Sequence, residues 1–501
     1  MKKYQIKDGK FISNEETLPI YGEYDVVVVG GGMAGVGAAL ASAKEGAKTI
    51  IIENLSALGG IATMGIVNIP LDFLSGGGKE FFAEMEKVNG LLQRNSDVEK
   101  HKLVFDRMLT KYGCEILLVT PLVDTIVEDN VVKGVIIHTK KGDSVVLGKR
   151  FVDASGDSDL VYFGGGETFT GRPEDGMSMG CSLEFVLGGV NHDEYLESEI
   201  CQKDPKWIKL IKESLADGSL PYEIDNHLNW TTLMPGRKRH GNFDEMGFCF
   251  SHSRNCYPTD NRDLTRMYME GREQAQILAD FIKKKVPGFE NSHLCYTGSL
   301  LGVRESRRIV GEYVFTGMDI AYARRHEDVI AISQHGFDIH GFEEPGNLKW
   351  FKGKLPDGRD AYIANRAGWG SQLPPDDDLP RVNMSELAPK GVFYYDIPYR
   401  SLLPIRLENV LAAGRNISSD VPGQSGTRLV MCCMALGEAA GTAAALSIKE
   451  GVTPRKLDVA KLQRLLVKNG ANIGQGFNKI KALGDGDFTE SVEIIADYKN
   501  G

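Results

Sequence analysis

The stretch 24–53, YDVVVVGGGMAGVGAALASAKEGAKTIIIE, narrows the fold more than any other part of the chain. Residues 26–29 are a run of valines, which reads as a strand buried on both faces. Gly30, Gly32 and Gly35 follow with G-x-G-x-x-G spacing. Residues 33–45 are Ala-rich and helical, Gly46 ends that helix, and 48–53 is a second apolar strand closing on an acid. Gly30 permits a tight turn out of the strand, Gly32 lets the backbone approach a pyrophosphate, and Gly35 lets the helix pack close to the strand. The helix start at Met33 and Ala34 presents free amides and a partial positive charge to phosphates. Glu53 can accept hydrogen bonds from a ribose diol and disfavours a 2′-phosphate. The parts and their order predict a dinucleotide-binding βαβ unit, against the alternative of a Gly-rich turn in an ordinary α/β domain.

The 501 residues suffice for about two or three domains. A net charge of -10 without a basic stretch argues against a nucleic-acid partner. Residues 1–25 lack the apolar centre of a signal peptide, so a cytoplasmic protein is expected. The eight cysteines, Cys114, Cys181, Cys201, Cys249, Cys256, Cys295, Cys432 and Cys433, form no C-x-x-C. That spacing removes a dithiol redox pair and the usual zinc or iron–sulfur sites, and leaves buried free thiols as the reading.

After a polar arm, 1–23, the pattern predicts an α/β fold: a Rossmann-like domain over 24–162 and 397–450, an inserted α+β substrate or cap domain over 163–396, and a helical extension over 451–501. The second glycine turn, Gly59-Gly60 with Ala62 and Thr63, either returns toward the cofactor or is a structural loop. Gly76-Gly77-Gly78 reads as a hinge or loop before a helix at 79–94, and 100–112 as an amphipathic helix. Strands at 115–119, 122–128, 131–139 and 144–147 form a β-meander, and a further strand, 149–154, ends in Ser155-Gly156-Asp157. In the middle region strands are expected at 181–187 and 246–252, and helices at 207–216 and 263–285. In 301–313, LGVRESRRIVGEY, Arg304, Arg307 and Arg308 share a face if the segment is helical; an ion-paired surface face is the alternative. The Pro- and Asp-rich 373–390 reads as a surface loop. A strand at 409–413 leads to Gly414-Arg415-Asn416. A flexible turn, 423–428, then opens a small-residue helix over 429–449, with a surface helix at 456–468. Arg428 and Glu438 argue against a membrane span there.

With these pieces in hand the chain resembles the FAD-dependent oxidoreductases allied to the fumarate reductase and succinate dehydrogenase flavoproteins. The resemblance rests on YDVVVVGGGMAG, LGGIAT, FVDASGDSDL, LGVRESRRIVGEY, and NVLAAGRNIS through RLVMCCMALGEAAGTAAAL. It implies bound FAD. Gly30, Gly32, Met33, Ala34, Gly35, Glu53 and Asn54 would serve the ADP half, and Gly59, Gly60, Ala62 and Thr63 the ribityl chain and flavin. Val123 would hold the adenine by its backbone, and Ser155, Gly156 and Asp157 would close over the nucleotide. Gly414, Arg415 and Asn416 would meet the pyrophosphate or ribityl end. The helix opening at Leu429 and Val430 would stabilise negative charge on the reduced flavin.

The same resemblance makes Arg428, and next Arg304, candidates for clamping a substrate anion or relaying a proton. A His-x-x-x-Arg motif of the dicarboxylate enzymes is not evident, so fumarate itself is not expected. His240 and His340 are candidate general bases, each with a structural histidine as the alternative; His335 is nearby. The expected activity is hydride transfer between flavin and a small polar or anionic substrate, with an unidentified electron donor or acceptor and with a homo-oligomer left open. Rival readings are an alcohol or sugar-ring dehydrogenase with a histidine base, an electron-transfer subunit, and a flavin-stabilised binding protein.

Overall fold

A seven-stranded sheet organises the structure, in the order 115–117, 49–52, 20–29, 142–153, 131–139, 122–128, with Val410–Ala412 also pairing along Gly142–Asp153. The structure is a computed structural model and describes residues 4–7, 10–13, 17–69, 72, 74–92, 95–202, 204–221, 231–233, 245–344, 346–370, 372–390 and 393–475. Ile20–Val29 lies parallel to Thr49–Ile52 on one side and to Gly142–Asp153 on the other. The meander strands pair antiparallel. This is the α/β, Rossmann-like arrangement with its meander.

Among the boundaries that differ from the sequence reading, two in this sheet have a visible reason. The first strand begins at Ile20, because the lead-in 20–24 already pairs with 145–148 of Gly142–Asp153. The strands expected at 144–147 and 149–154 are one strand, Gly142–Asp153. Gly148 and Arg150 interrupt the apolar run but not the pairing, which continues through Gly148–Tyr24 and Arg150–Val26. A Cβ on Gly148 would lie 2.7 Å from Val27 Cγ2. The Arg150 guanidinium leaves the sheet to donate to Ser447 Oγ (2.9 Å) and the Val452 carbonyl.

Helix Met33–Lys44 packs on helix Val430–Lys449, and both are buried along nearly their whole length. Their backbones touch. Cβ atoms added to Gly437 and Gly441 would lie 1.9 Å from the Ala34 carbonyl oxygen and 2.1 Å from that of Ala38. Val430–Lys449 is long and apolar enough to cross a membrane, yet 94% of its apolar window is buried inside the protein. It is a core helix.

The expected glycine hinge is instead the first turn of helix Gly76–Lys87. The buried Glu438 carboxylate accepts from the Gly77 amide (3.2 Å) and from Ser75 Oγ. A Cβ on Gly76 would meet the Asn469 carbonyl oxygen at 2.5 Å. The glycines therefore give close approach at a capped helix end. Helix Val98–Lys111 follows, with Asp97 Oδ1 accepting from the Glu99 and Lys100 amides.

In the middle region a four-stranded sheet (Thr231–Leu233, Glu245–Phe248, Phe185–Gly188, His293–Thr297) is covered by helix Asn261–Lys285 and shares a core with Phe289 and Tyr195. Segments from 315 to 399 are different. Phe315, Ile332, Phe337, Phe351 and Tyr395 join the same core as the nucleotide-fold helices. The expected loop 373–390 contains strand Arg381–Asn383 and helix Met384–Leu387, because Asn383 and Glu386 form a capping box that the Pro and Asp content conceals.

Replacing Gly437 by Ala should cost about 1–3 kcal/mol by overpacking two touching backbones, read as a lower urea midpoint. Gly46→Asn, at φ +83 with nothing within 4 Å of the added Cβ, should leave it nearly unchanged.

Candidate functional site

The two glycine turns face each other at the carboxyl edge of the sheet. Gly30 is left-handed (φ +99), and a Cβ on Gly35 would fall 1.8 Å from the Gly30 carbonyl oxygen. Gly32 is the opposite case: its Cβ would meet nothing within 4 Å. Gly32 pairs with Gly59, the Gly59 amide donates to the Gly31 carbonyl (2.8 Å), and Gly60 (φ +53) lies against Gly32. Helix Met33–Lys44 has Gly32 as its N-cap, with no side-chain cap and no acid in its first turn. Its start is therefore an open, electropositive concavity beside a missing side chain, which fits a pyrophosphate.

Glu53 is buried and braces this loop. One carboxylate oxygen accepts from the Gly31 amide and the other from the Leu55 amide (2.6 Å). Burial raises its proton affinity and the amide bonds oppose that rise. Asn54 is exposed beside it. Thr63 is buried, its hydroxyl donating to the Leu58 carbonyl (2.6 Å), and Ala62 is buried next to it. Strand pairing passes from Leu122–Ile137 to Asp124–Ile136, which makes the exposed Val123 the extra residue of a bulge.

Ser155 Oγ donates to Asp153 Oδ1 (2.7 Å) and accepts from the Asp159 amide (2.9 Å). Asp157 pairs with Arg415 (2.7 Å), whose guanidinium lies over the left-handed Gly156. Gly414 (φ +104) abuts Ala34. Asn416 is fully buried and its amide donates to the Asp153 carbonyl (3.1 Å), so that side chain ties two strand ends together. Leu429 and Val430 open the second core helix, again with no side-chain cap and no acid in the first turn.

The arginines do not share a helix face. Residues 307–309 form a strand against Thr168–Thr170, and the three guanidinium groups part. Arg308 is buried with Glu305 and donates to the Ser419 (2.9 Å) and Gly171 (3.0 Å) carbonyls. Arg307 pairs with Asp159 and covers the Tyr162 ring at 4.1 Å. Arg304 donates to the Gly180 carbonyl and to Ser182 Oγ (3.0 Å). The expected flexible turn at 423–428 is helix Val421–Thr427, capped by Asp420, whose Oδ1 accepts from the Gly423 amide (2.6 Å). Arg428 follows as its C-cap and donates to Asp338 Oδ2 and to the Asp338 carbonyl, both at 2.9 Å.

A continuous string of contacts joins Arg304 to Arg428. Ser182 Oγ lies 3.4 Å from His252 Nδ1, the His252 and His340 rings stack at 5.2 Å, and His340 Nε2 lies 3.2 Å from Asp338 Oδ2. Burial opposes ionisation of Asp338, but the hydrogen bond from His340 and the charge of Arg428 outweigh it and hold its carboxyl well below the usual range. Burial and then Arg304 lower the proton affinity of both His252 and His340, which keeps these imidazoles neutral at neutral pH. Burial pushes Glu184 up to about 7, against the pull of Cys249 and Arg304. His335 turns Nδ1 to the Gly336 carbonyl (2.7 Å). His240 lies outside the described residues.

Sequence reasoning missed His252, Ser182, Glu184 and Asp338. A signal existed for the last: His335-Gly-Phe-Asp-Ile-His340 puts Asp338 and His340 two apart, on one side of an extended segment.

Sheet order, the paired glycine turns and the uncapped helix starts define an α/β dinucleotide-binding enzyme. The model of the FAD dependent oxidoreductase family matches residues 25–466, and the chain belongs to that family, whose cofactor is FAD. The tRNA uridine 5-carboxymethylaminomethyl modification enzyme MnmG of Geobacillus kaustophilus (strain HTA426) is 37% identical over 139 residues, 24% of this chain and 22% of that protein. The match thus spans under a quarter of that relative. Among solved structures, a geranylgeranyl bacteriochlorophyll reductase-like protein from Thermoplasma acidophilum matches 90% of this chain and 84% of its own at 12% identity (TM-score 0.41). The OxyS anhydrotetracycline hydroxylase from Streptomyces rimosus matches 89% of this chain and 68% of its own at 12% identity (TM-score 0.39). Scores this low bear no weight.

Gly32→Val should leave thermal stability of the apoprotein within about 0.5 kcal/mol but abolish FAD uptake in reconstitution, because its side chain enters only the open concavity. For Glu184 the folded pKa of about 7 exceeds the ordinary glutamate value of 4.5, so the folded state holds the extra proton and stability falls as pH rises between those values. Glu184→Gln should flatten that slope. It should be the more stable form at pH 8 by on the order of 3 kcal/mol, and equal near pH 4.5, by urea titration at saturating FAD.

Proposed function

We propose that this FAD enzyme transfers a hydride between the flavin and a small anionic or polar substrate held between Arg304 and Arg428. The observation that carries the proposal is the contact string between them. Each guanidinium is anchored through one terminal nitrogen, and the remaining terminal nitrogen has no hydrogen-bond partner among the described residues. Two arginines against one ionised Asp338, with two neutral imidazoles and with Glu184 uncharged below pH about 7, leave a net positive site, which suits a carboxylate.

FAD would be held by the amides of Gly32, Met33 and Ala34, by Glu53, by the turns at Gly59-Gly60 and Ser155-Gly156-Asp157, by the bulge at Val123, by Gly414-Arg415, and by the helix start at Leu429-Val430. Bound FAD supplies a two-electron hydride donor or acceptor. Asp338 fixes Arg428 and His340 in one orientation. Arg428 and Arg304 then orient the substrate, and neutral His340, steadied by Asp338, can take a proton from a hydroxyl. The second reading, dehydrogenation of a hydroxylated compound with His340 as base, is favoured by that His340–Asp338 contact. The cytoplasmic location remains part of the proposal.

Anaerobic titration of the purified yellow protein tests the reading. Bleaching by hydroxy acids supports dehydrogenation, and reoxidation of the reduced protein by enoates supports C=C reduction. Electron exchange only with a partner protein counts against both. Arg428→Ala should weaken succinate binding, followed as a flavin difference spectrum, by roughly 10–100-fold while retaining FAD. Loss of FAD and fold together would refute the substrate role.

A further inference from the structure

Residues 338–341 and 346–348 run antiparallel beside Arg428. His340 and Asn347 face each other across a bridge, the Gly341 amide donates to the Gly346 carbonyl (2.8 Å), and the Leu348 amide donates to the Ile339 carbonyl (2.9 Å). Residues two apart on an extended segment point to one face, and so do partners directly across a bridge. Asp338, His340 and Asn347 therefore meet. Asn347 is buried, and its Nδ2 donates to Asp338 Oδ1 (3.2 Å). The other carboxylate oxygen, Oδ2, takes His340 Nε2 (3.2 Å) and Arg428 Nη2 (2.9 Å). The backbone of Asn347 is itself pinned. Its carbonyl accepts from the Gln372 amide (3.3 Å), and a Cβ on left-handed Gly370 (φ +81) would lie 2.1 Å from that carbonyl oxygen.

We propose that Asn347 is a positioning residue: through Asp338 Oδ1 it orients the carboxylate so that Arg428 engages one oxygen only and His340 is fixed in its Nε2–H tautomer. An arginine beside a carboxylate commonly grips both oxygens with its two-pronged donor. Here Arg428 uses a single nitrogen, Nη2, for Oδ2 and for the Asp338 carbonyl. Asn347 holds Oδ1 on the far side, so the second prong stays turned away from Asp338. The same orientation keeps Oδ2 aimed at His340. A carboxylate only accepts, so His340 Nε2 carries the proton in that contact, and the lone pair of the neutral ring lies on Nδ1. Ser425 Oγ accepts from the Asp338 amide (3.1 Å) and fixes the backbone at this point. Rotation of the Asp338 side chain is the freedom that Asn347 removes. A role in catalysis rests on the proposed function, in which the second prong of Arg428 meets substrate and His340 accepts a proton; the tautomer of His340 does not.

NMR of the FAD-loaded protein with isotope-labelled histidine nitrogens tests this at neutral pH, and His340→Gln assigns the signal. Wild-type His340 should show a protonated Nε2 and a bare Nδ1. Asn347→Ala removes the donor, and Asn347→Ser keeps a hydroxyl too short to reach Oδ1. Each variant should retain FAD and replace the single tautomer by an exchange-averaged mixture. Each should also weaken succinate binding, read as a flavin difference spectrum, by about tenfold as Arg428 closes on both oxygens. A proton on Nδ1 in the wild type would overturn the proposal, and so would an unchanged tautomer in either variant. Loss of fold and FAD in both variants would make Asn347 a structural residue and overturn it equally. Wild-type protein that binds no succinate, with the tautomer change present in the variants, sinks the substrate reading and leaves the positioning of His340 standing.

Discussion

Backbone-to-backbone contact without side chains is the constraint from which the rest of the structure follows. Gly35 against Gly30, Gly37 against Met434, and Gly437 and Gly441 against Ala34 and Ala38 bring one strand turn and two helices closer than any Cβ permits. That closeness sets both uncapped helix starts, at Gly32 and at Leu429, along one edge of the sheet. Partial positive charge from the helix starts is concentrated there beside Arg415 and Arg428, which Asp157 and Asp338 already hold in place, so the edge can receive a phosphate or a reduced flavin with few side chains left to order.

The proposed substrate side is built from different material. The backbone of 301–309 is irregular before its short strand, and such a segment holds its shape only if its polar groups are satisfied. Gln424 Nε2 donates to the Arg304 carbonyl (2.7 Å), and Glu305 Oε2 accepts from the Met179 amide (3.2 Å) while pairing with the buried Arg308. A buried ion pair of this kind contributes little net stability against an apolar substitute. Here it leaves Arg304 free of its neighbours and turned toward Gly180 and Ser182.

Legibility in the sequence divided along the same line. The nucleotide half could be read because each requirement maps to one residue type at a set spacing: no side chain at Gly30, Gly32 and Gly35, an acid at Glu53, small residues along 435–445. The substrate half could not, because its members come from five separated segments, at 180–184, 249–252, 304, 338–340 and 428. Three arginines at helical spacing suggested a shared face, yet pairing of 307–309 with 168–170 overrode the local pattern, as strand pairing from a distant segment can. The glycine run at 76–78 misled for a related reason. A run that reads as flexible in isolation becomes a helix start when Glu438, far along the chain, supplies the cap.

These two halves meet at Arg428, and the meeting explains why helix Val421–Thr427 is short and buried. Asp420 caps its start and also accepts from the Gly317 amide (3.0 Å), while Ser425 Oγ accepts from the Asp338 amide (3.1 Å). The helix is thus fastened at one end to the segment bearing Gly317 and along its side to the segment bearing Asp338. Its C-cap, Arg428, is followed at once by Leu429, the N-cap of the core helix. A guanidinium placed there sits within one residue of an electropositive helix start, which would disfavour it. Asp338 offsets that repulsion, and its unusually low proton affinity is the counterpart of the arrangement. On the proposed reading, the arginine that would anchor substrate charge and the helix start that would face flavin charge are joined by backbone across one residue step, from Arg428 to Leu429.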